Sequence, residues 1–206
     1  GGMAVYLNYL YLPVVDGISQ SKSLLVVDIS DPFHPRSVRA LNIEHGGFLA
    51  VYNNKLYTTI SDTGFTIFDL SDPAQPVRQG TYIMPPTSIV APGSVAASDS
   101  IVALVIAGGI GIVSVSNPDA PEQIGLIPGG GAGVYLADTL LYSVLFTDST
   151  DFSVYSLSHP RHPVRLGSAN VGLSGISLLD IAISKNFAYF GGYAVNVSDP
   201  STPRAT

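Results

Sequence analysis

Apolar residues in this chain fall in short, nearly unbroken runs, and each run stops at a small polar residue. Leu25-Val26-Val27, Thr66-Ile67-Phe68, Gly111-Ile112-Val113, Ser153-Val154-Tyr155 and Tyr193-Ala194-Val195 are followed by Asp28, Asp69, Ser114, Ser156 and Asn196. Runs of this length without strict alternation predict strands covered on both faces. Two positions on comes Ser-Asp-Pro, Ser-Asn-Pro or Ser-His-Pro, with a second proline three residues later: Pro32 and Pro35, Pro73 and Pro76, Pro118 and Pro121, Pro160 and Pro163, Pro200 and Pro203. Proline fixes φ and cannot donate to a ladder, so it ends each strand in a turn. The opening serines Ser30, Ser71, Ser116, Ser158 and Ser198 are 41, 45, 42 and 40 residues apart, the mark of an internal repeat.

A second block recurs upstream of every turn. It reads Ala4-Val5-Tyr6 with Leu10-Tyr11, Ala50-Val51-Tyr52 with Leu56-Tyr57, Ala96-Ala97-Ser98 with Val102-Ala103, Tyr135-Leu136-Ala137 with Leu141-Tyr142, and Ala182-Ile183-Ser184 with Ala188-Tyr189. Tight-turn residues separate the halves, most plainly Asn53-Asn54 and Asp99-Ser100, as a two-residue hairpin requires. Each repeat is thus a hairpin, a third strand, the proline turn and a fourth strand. With 21 Gly and 15 Pro interrupting every long window, no helix fits between them. The expected fold class is all-β, a β-propeller with five blade repeats of four antiparallel strands. The chain reads as one domain, with blades near 3–43, 46–83, 93–127, 133–171 and 177–206. Small residues at Ala4, Ala50, Ala96 and Ala182 suit first strands converging on the axis, and Tyr135 breaks that column.

The fifth repeat offers only Arg204, Ala205 and Thr206 after Pro203, so its fourth strand is expected to be missing. That would leave an apolar outer edge at 193–197, an open seam or a piece of a larger propeller, and self-association through that edge.

Asp28, Asp69, Ser114, Ser156 and Asn196 are expected to be structural, accepting backbone N–H bonds that fix the turn. The glycine-rich stretch 129–133 runs into Val134-Tyr135, not into Lys-Ser/Thr and a helix, and so reads as a connection between blades rather than a phosphate loop. His34, His45, His159 and His162 match no zinc spacing, and no metal or other cofactor is expected.

The chain has 206 residues and a net charge of −6, which disfavours nucleic-acid partners. It has no cysteine, so neither disulfides nor thiolate chemistry enter. No apolar run approaches the roughly 18 residues of a membrane-spanning helix.

Leu25-Val26-Val27-Asp28-Ile29-Ser30-Asp31-Pro32 resembles the naming motif of the LVIVD-repeat family, and Ile67-Phe68-Asp69-Leu70-Ser71-Asp72-Pro73 is similar to it. Ser114, Ser156 and Asn196 replace the aspartate in the other three repeats. The resemblance implies a β-propeller on a bacterial or archaeal cell surface, hence an extracellular location, and carries no catalytic residues with it. Two functions stay open. The first is a non-catalytic binding or scaffold module with a protein or carbohydrate partner. The second is a glycosidase-like hydrolase or lyase with a polar site at the channel mouth, where loops are expected to bring Glu44, His45 and Asp62 and where Asp180 is expected early in a first strand. Asp16, Asp148 and Asp151 fall on the same loops. The chain's lack of Trp weighs against a sugar enzyme.

Overall fold

The computed structural model describes residues 2–15, 22–43, 47–60, 64–84, 94–146, 150–172 and 180–206. The described chain forms twenty strands and no helix. They make five separate four-stranded antiparallel sheets in simple up-and-down order. Sheet 1 holds β1 (Ala4–Tyr6), β2 (Tyr9–Val15), β3 (Lys22–Asp28) and β4 (Arg36–Asn42). Sheet 2 holds β5 (Leu49–Tyr52), β6 (Lys55–Ile60), β7 (Gly64–Asp69) and β8 (Val77–Ile83). Sheet 3 holds β9 (Val95–Ala97), β10 (Ile101–Ile106), β11 (Gly109–Ser114) and β12 (Glu122–Pro128). Sheet 4 holds β13 (Gly130–Ala137), β14 (Leu140–Phe146), β15 (Thr150–Ser156) and β16 (Val164–Asn170). Sheet 5 holds β17 (Ala182–Ser184), β18 (Phe187–Phe190), β19 (Tyr193–Asn196) and β20 (Arg204–Ala205). This is a β-propeller of five blades.

The expectation that the last blade lacks its fourth strand is corrected. Arg204 and Ala205 pair with Asn196 and Val195, and the Thr206 N–H extends the ladder to the Ala194 carbonyl at 3.1 Å. Pro203 is buried and delivers the chain to this position just as the earlier second prolines do, so a short segment suffices. The glycine run also differs from expectation. Gly129 alone links β12 to β13, and the following glycines enter β13, where Gly131 lies against Val105 too closely for a Cβ.

Four apolar clusters hold the five sheets together, one in each gap between neighbours. Tyr11, Leu24 and Val26 of sheet 1 meet Leu56, Phe68 and Leu70 of sheet 2. Phe65, Ile67 and Tyr82 of sheet 2 meet Val102, Leu104 and Val115 of sheet 3. Ile110 and Ile112 of sheet 3 meet Leu141 and Leu157 of sheet 4. Phe152 and Val154 of sheet 4 meet Ala188, Phe190 and Val197 of sheet 5, with the Phe152 and Phe190 rings stacked at 5.4 Å. Buried side chains occur on both faces of each middle sheet, which accounts for their unbroken apolar runs. At roughly 1.5–3 kcal/mol per large side chain fully buried, these gaps are the main source of stability.

A backbone device sets the spacing of the gaps. Fourth strands β4, β8, β12 and β16 each carry a bulge at the same register. Just past it in three of them lies a glycine facing the next blade's proline turn. A Cβ on Gly80 would stand 1.8 Å from the Pro118 carbonyl oxygen, on Gly125 2.5 Å from that of Pro160, and on Gly167 2.5 Å from that of Ser201. Glycine is required here because two backbones touch. In sheet 1 the same register holds Arg39, which pairs with Gln75 at 3.2 Å, while the Tyr11 hydroxyl donates to the Pro73 carbonyl at 2.8 Å. Burial pushes the Tyr11 phenol up to about 12, so it stays a donor at any ordinary pH.

Two predictions follow from this packing. Gly80→Ala should lower stability by about 2 kcal/mol, because backbone must shift to admit the methyl; an unchanged denaturation midpoint contradicts the contact. Leu7 opens the first hairpin turn at φ 52 with its side chain exposed. Leu7→Asn should raise stability by roughly 0.5–1 kcal/mol in urea melts, since asparagine tolerates the left-handed conformation that costs leucine about 1–2 kcal/mol. A destabilised Asn variant would place that turn elsewhere.

Candidate functional site

Strands β5, β9 and β13 and the segments leading into β1 and β17 border one cavity of about 490 Å³. Residues 2–3, 48–52, 94–97, 134–138 and 180–181 line it, so all five blades contribute. The wall is mostly aliphatic, from Ala50, Val51, Val95, Ala96, Val134 and Leu136, and two carboxylates stand in it, Asp138 and Asp180. Ala50, Ala96 and Tyr135 occupy the same register of their strands, opposite Tyr57, Ala103 and Tyr142. The larger Tyr135 ring projects where its counterparts are methyls, 6.5 Å from the Tyr142 ring.

Ser94 pins the wall together. Its hydroxyl donates to the Val134 carbonyl at 3.4 Å and accepts from the Val134 N–H at 3.3 Å, joining blade 3 to blade 4. It is buried, so its hydrogen-bonding capacity is met from within the wall.

Asp180 is exposed, just before β17, and borders this cavity. Glu44, His45 and Asp62 lie outside the described residues, as do Asp16 and Asp148. Asp151 pairs with Leu145 and Asn170 inside the sheet 4 ladder. Among the described residues, no group of three or more His, Asp or Glu side chains is placed to hold a metal ion. Asp138, which the sequence reading did not single out, borders the cavity from the turn between β13 and β14 at φ 51. Its alignment with Asn53 as a hairpin-turn residue was the available signal.

The five polar residues that end the third strands sit beside the proline turns. Asp28 accepts from the Ser30 N–H at 2.9 Å, Asp69 from that of Ser71 at 2.7 Å, Ser156 from that of Ser158 at 3.3 Å, and Asn196 from that of Ser198 at 2.9 Å. Ser114 meets the Ser116 hydroxyl at 3.4 Å. A second bond closes every proline turn, from the N–H of His34, Gln75, Ala120, His162 and Thr202 to the carbonyl three residues earlier. The backbone bond from Ser30 holds the Asp28 carboxyl below its ordinary range.

Asp69 is further engaged. The Lys55 ammonium donates to its other oxygen and also to Gln79 Oε1 at 2.7 Å. Chiefly through Lys55, the Asp69 carboxyl is lowered from 3.8 to about 2. A folded-state value below the unfolded one means that this carboxylate stabilises the fold above the unfolded value, and that the contribution is lost as pH falls toward about 2. Asp69→Ala, which loses both turn bond and ion pair, should cost about 1 kcal/mol at neutral pH. Asp69→Asn keeps an acceptor for Ser71 and should fall between. Denaturant midpoints should show the gap between wild type and Asn closing between about pH 5 and pH 2; a gap that ignores pH contradicts the ion pair.

Comparison with known proteins places this architecture. The LVIVD repeat family matches residues 1–40 and 47–83. No curated protein matches the sequence. Among solved structures, a protein from Lactobacillus plantarum is similar over 99% of this chain and 69% of its own, with 10% identity and a TM-score of 0.73. A candidate 6-phosphogluconolactonase from Bacteroides fragilis is similar over 99% of this chain and 67% of its own, with 11% identity and a TM-score of 0.68. Apo AztD from Citrobacter koseri is similar over the whole of this chain and 58% of its own, with 14% identity and a TM-score of 0.60. At such identities the likeness is one of fold. Repeat, sheet order and sequence match agree: the chain is a β-propeller whose first two blades match the LVIVD repeat.

Proposed function

We propose that this chain is a non-catalytic binding or scaffold module of an exported cell-surface protein, and that its axial cavity is where a small ligand enters. The cavity itself carries the reading. Strands β5, β9 and β13, with the segments that lead into β1 and β17, preform a space of about 490 Å³, within the usual range for small-molecule sites, with an aliphatic wall and few polar groups. The carboxylates Asp138 and Asp180 favour a neutral polyol or a cationic group over an anion.

The second reading is a hydrolase or lyase at the same place. It draws on Asp180 at the cavity border and on the fold shared with candidate 6-phosphogluconolactonases. Their named substrate is a phosphorylated sugar acid lactone. The charged groups described in this wall are both acidic and would repel its phosphate, which disfavours that substrate here.

Nuclear magnetic resonance titration with small neutral sugars and with divalent cations tests the proposal. Shifts confined to the amides of Ala50, Ala96, Tyr135 and Asp180, weakened at least tenfold by Asp180→Ala, are expected. Saturable shifts only at the outer strands would overturn the cavity as the site. Turnover of chromogenic glycosides or lactones, abolished by Asp180→Ala, would replace the binding module with the enzyme.

A further inference from the structure

The gaps between blades 1 and 2, 2 and 3, and 3 and 4 share one design, and one column of it varies. Leu41, Tyr82 and Ile127 hold the same register of their fourth strands, opposite Leu24, Phe65 and Ile110. Each packs in the apolar cluster shared with the following blade. In that following blade, the residue just before the fourth-strand bulge is Arg78, Gln123 and Arg165 in turn. Between blades 2 and 3 the buried Tyr82 ring reaches across, and its hydroxyl donates to Gln123 Oε1 at 2.9 Å. Between blades 1 and 2 the pair is Leu41 and Arg78, and both border a cavity of about 380 Å³. Between blades 3 and 4 the pair is Ile127 and Arg165, which border one of about 270 Å³. The tyrosine is thus matched with glutamine, and each aliphatic residue with an arginine beside a cavity.

The wall of the blade 1–2 cavity is apolar at Leu41, Ile60 and Phe68 and polar at Thr58, Thr66 and Arg78. Thr58 and Thr66 are cross-strand partners, 1% and 7% exposed. The Thr58 hydroxyl reaches the Thr59 carbonyl at 3.5 Å, and the Thr66 hydroxyl has no hydrogen-bond partner among the described residues. A buried hydroxyl without a partner carries a cost that a bound polar atom removes. Arg78 donates to Thr81 Oγ1 at 2.9 Å, which steadies the guanidinium at the cavity wall. Gln123 accepts from a phenol, but a guanidinium has donors only and a permanent charge, so what it meets must be an acceptor, best an anionic one. We propose that this cavity binds a small aromatic carboxylate. The ring takes the place that the Tyr82 ring has in the next gap, the carboxylate faces Arg78, and a hydroxyl on the ring satisfies Thr66. No residue lining this cavity lines the axial one, so the proposal stands whether or not the axial site takes a ligand.

Titration with para-hydroxybenzoate, followed by amide shifts in nuclear magnetic resonance and by calorimetry, tests it. Saturable shifts should centre on Thr58, Thr66 and Arg78 and leave Ala50 and Ala96 of the axial cavity unmoved. Arg78→Gln, which copies Gln123, should weaken para-hydroxybenzoate about tenfold, the scale of one lost bond between charged groups. It should leave para-cresol, which has the ring and hydroxyl but no carboxylate, unaffected. Thr66→Val, close to wild type in shape, should weaken para-hydroxybenzoate and spare benzoate. Leu41→Tyr rebuilds the blade 2–3 arrangement and should abolish binding of all three compounds. Leu41→Phe fills the same space and should do likewise if the Tyr variant loses its wild-type melting curve. The absence of saturable binding, shifts at the axial cavity alone, folded Leu41 variants that bind like wild type, or equal loss of para-hydroxybenzoate and para-cresol in Arg78→Gln would each overturn the proposal.

Discussion

The close approach of the proline turns of blades 3, 4 and 5 to the blade before each is the contact on which this structure depends. A sheet twists, and two twisted sheets can face each other at several offsets with similar burial of aliphatic side chains. The carbonyls of Pro118, Pro160 and Ser201 set against Gly80, Gly125 and Gly167 remove that freedom, because backbone meets backbone with no side chain between. The bulge beside each glycine turns the fourth strand into position. The apolar clusters then fill gaps whose width is already set. The cavity is a consequence of that spacing.

Much of this was legible in the sequence, for physical reasons particular to each element. The proline turns announced themselves because Pro and the preceding Asp, Asn or Ser act within a few residues. The hairpins showed through Asn53-Asn54, whose first residue takes φ 50. Leu7 and Lys185 hold the same conformation without the composition that signals it, since neighbouring strands impose it on them. Gly80, Gly125 and Gly167 could have been read as a column spaced like the turns, yet a glycine inside a strand says only that something comes close, not what. The fourth strand of blade 5 was missed because a strand of two residues has no pattern, and pairing alone defines it.

The candidate site was less legible, for a different reason. A propeller places its polar loops around a mouth, but loop sequence carries no periodicity that fixes where a side chain lies. Asp180 was expected early in a first strand; it lies two residues before β17 and borders the cavity from there. Asp138 joined it from a hairpin turn, a place where a short acidic residue has an ordinary conformational role as well. The same ambiguity runs through Asp28 and Asp69, whose carboxylates are occupied by backbone amides and, at Asp69, by Lys55. A short polar residue repeated before every proline turn, aspartate in two repeats, serves the turn first.

The most direct test of the account is a nuclear Overhauser measurement across the interlocks in solution. The structure puts the Gly80 backbone beside Asp119 and the Gly167 backbone beside the Pro203 ring. Strong cross-peaks from the Gly80 Hα to the Asp119 Hα, and from the Gly167 Hα to the Pro203 Hδ protons, are the result this account predicts. Their absence, with both glycines seen only by their own strands, would contradict the interlock and the blade spacing built on it.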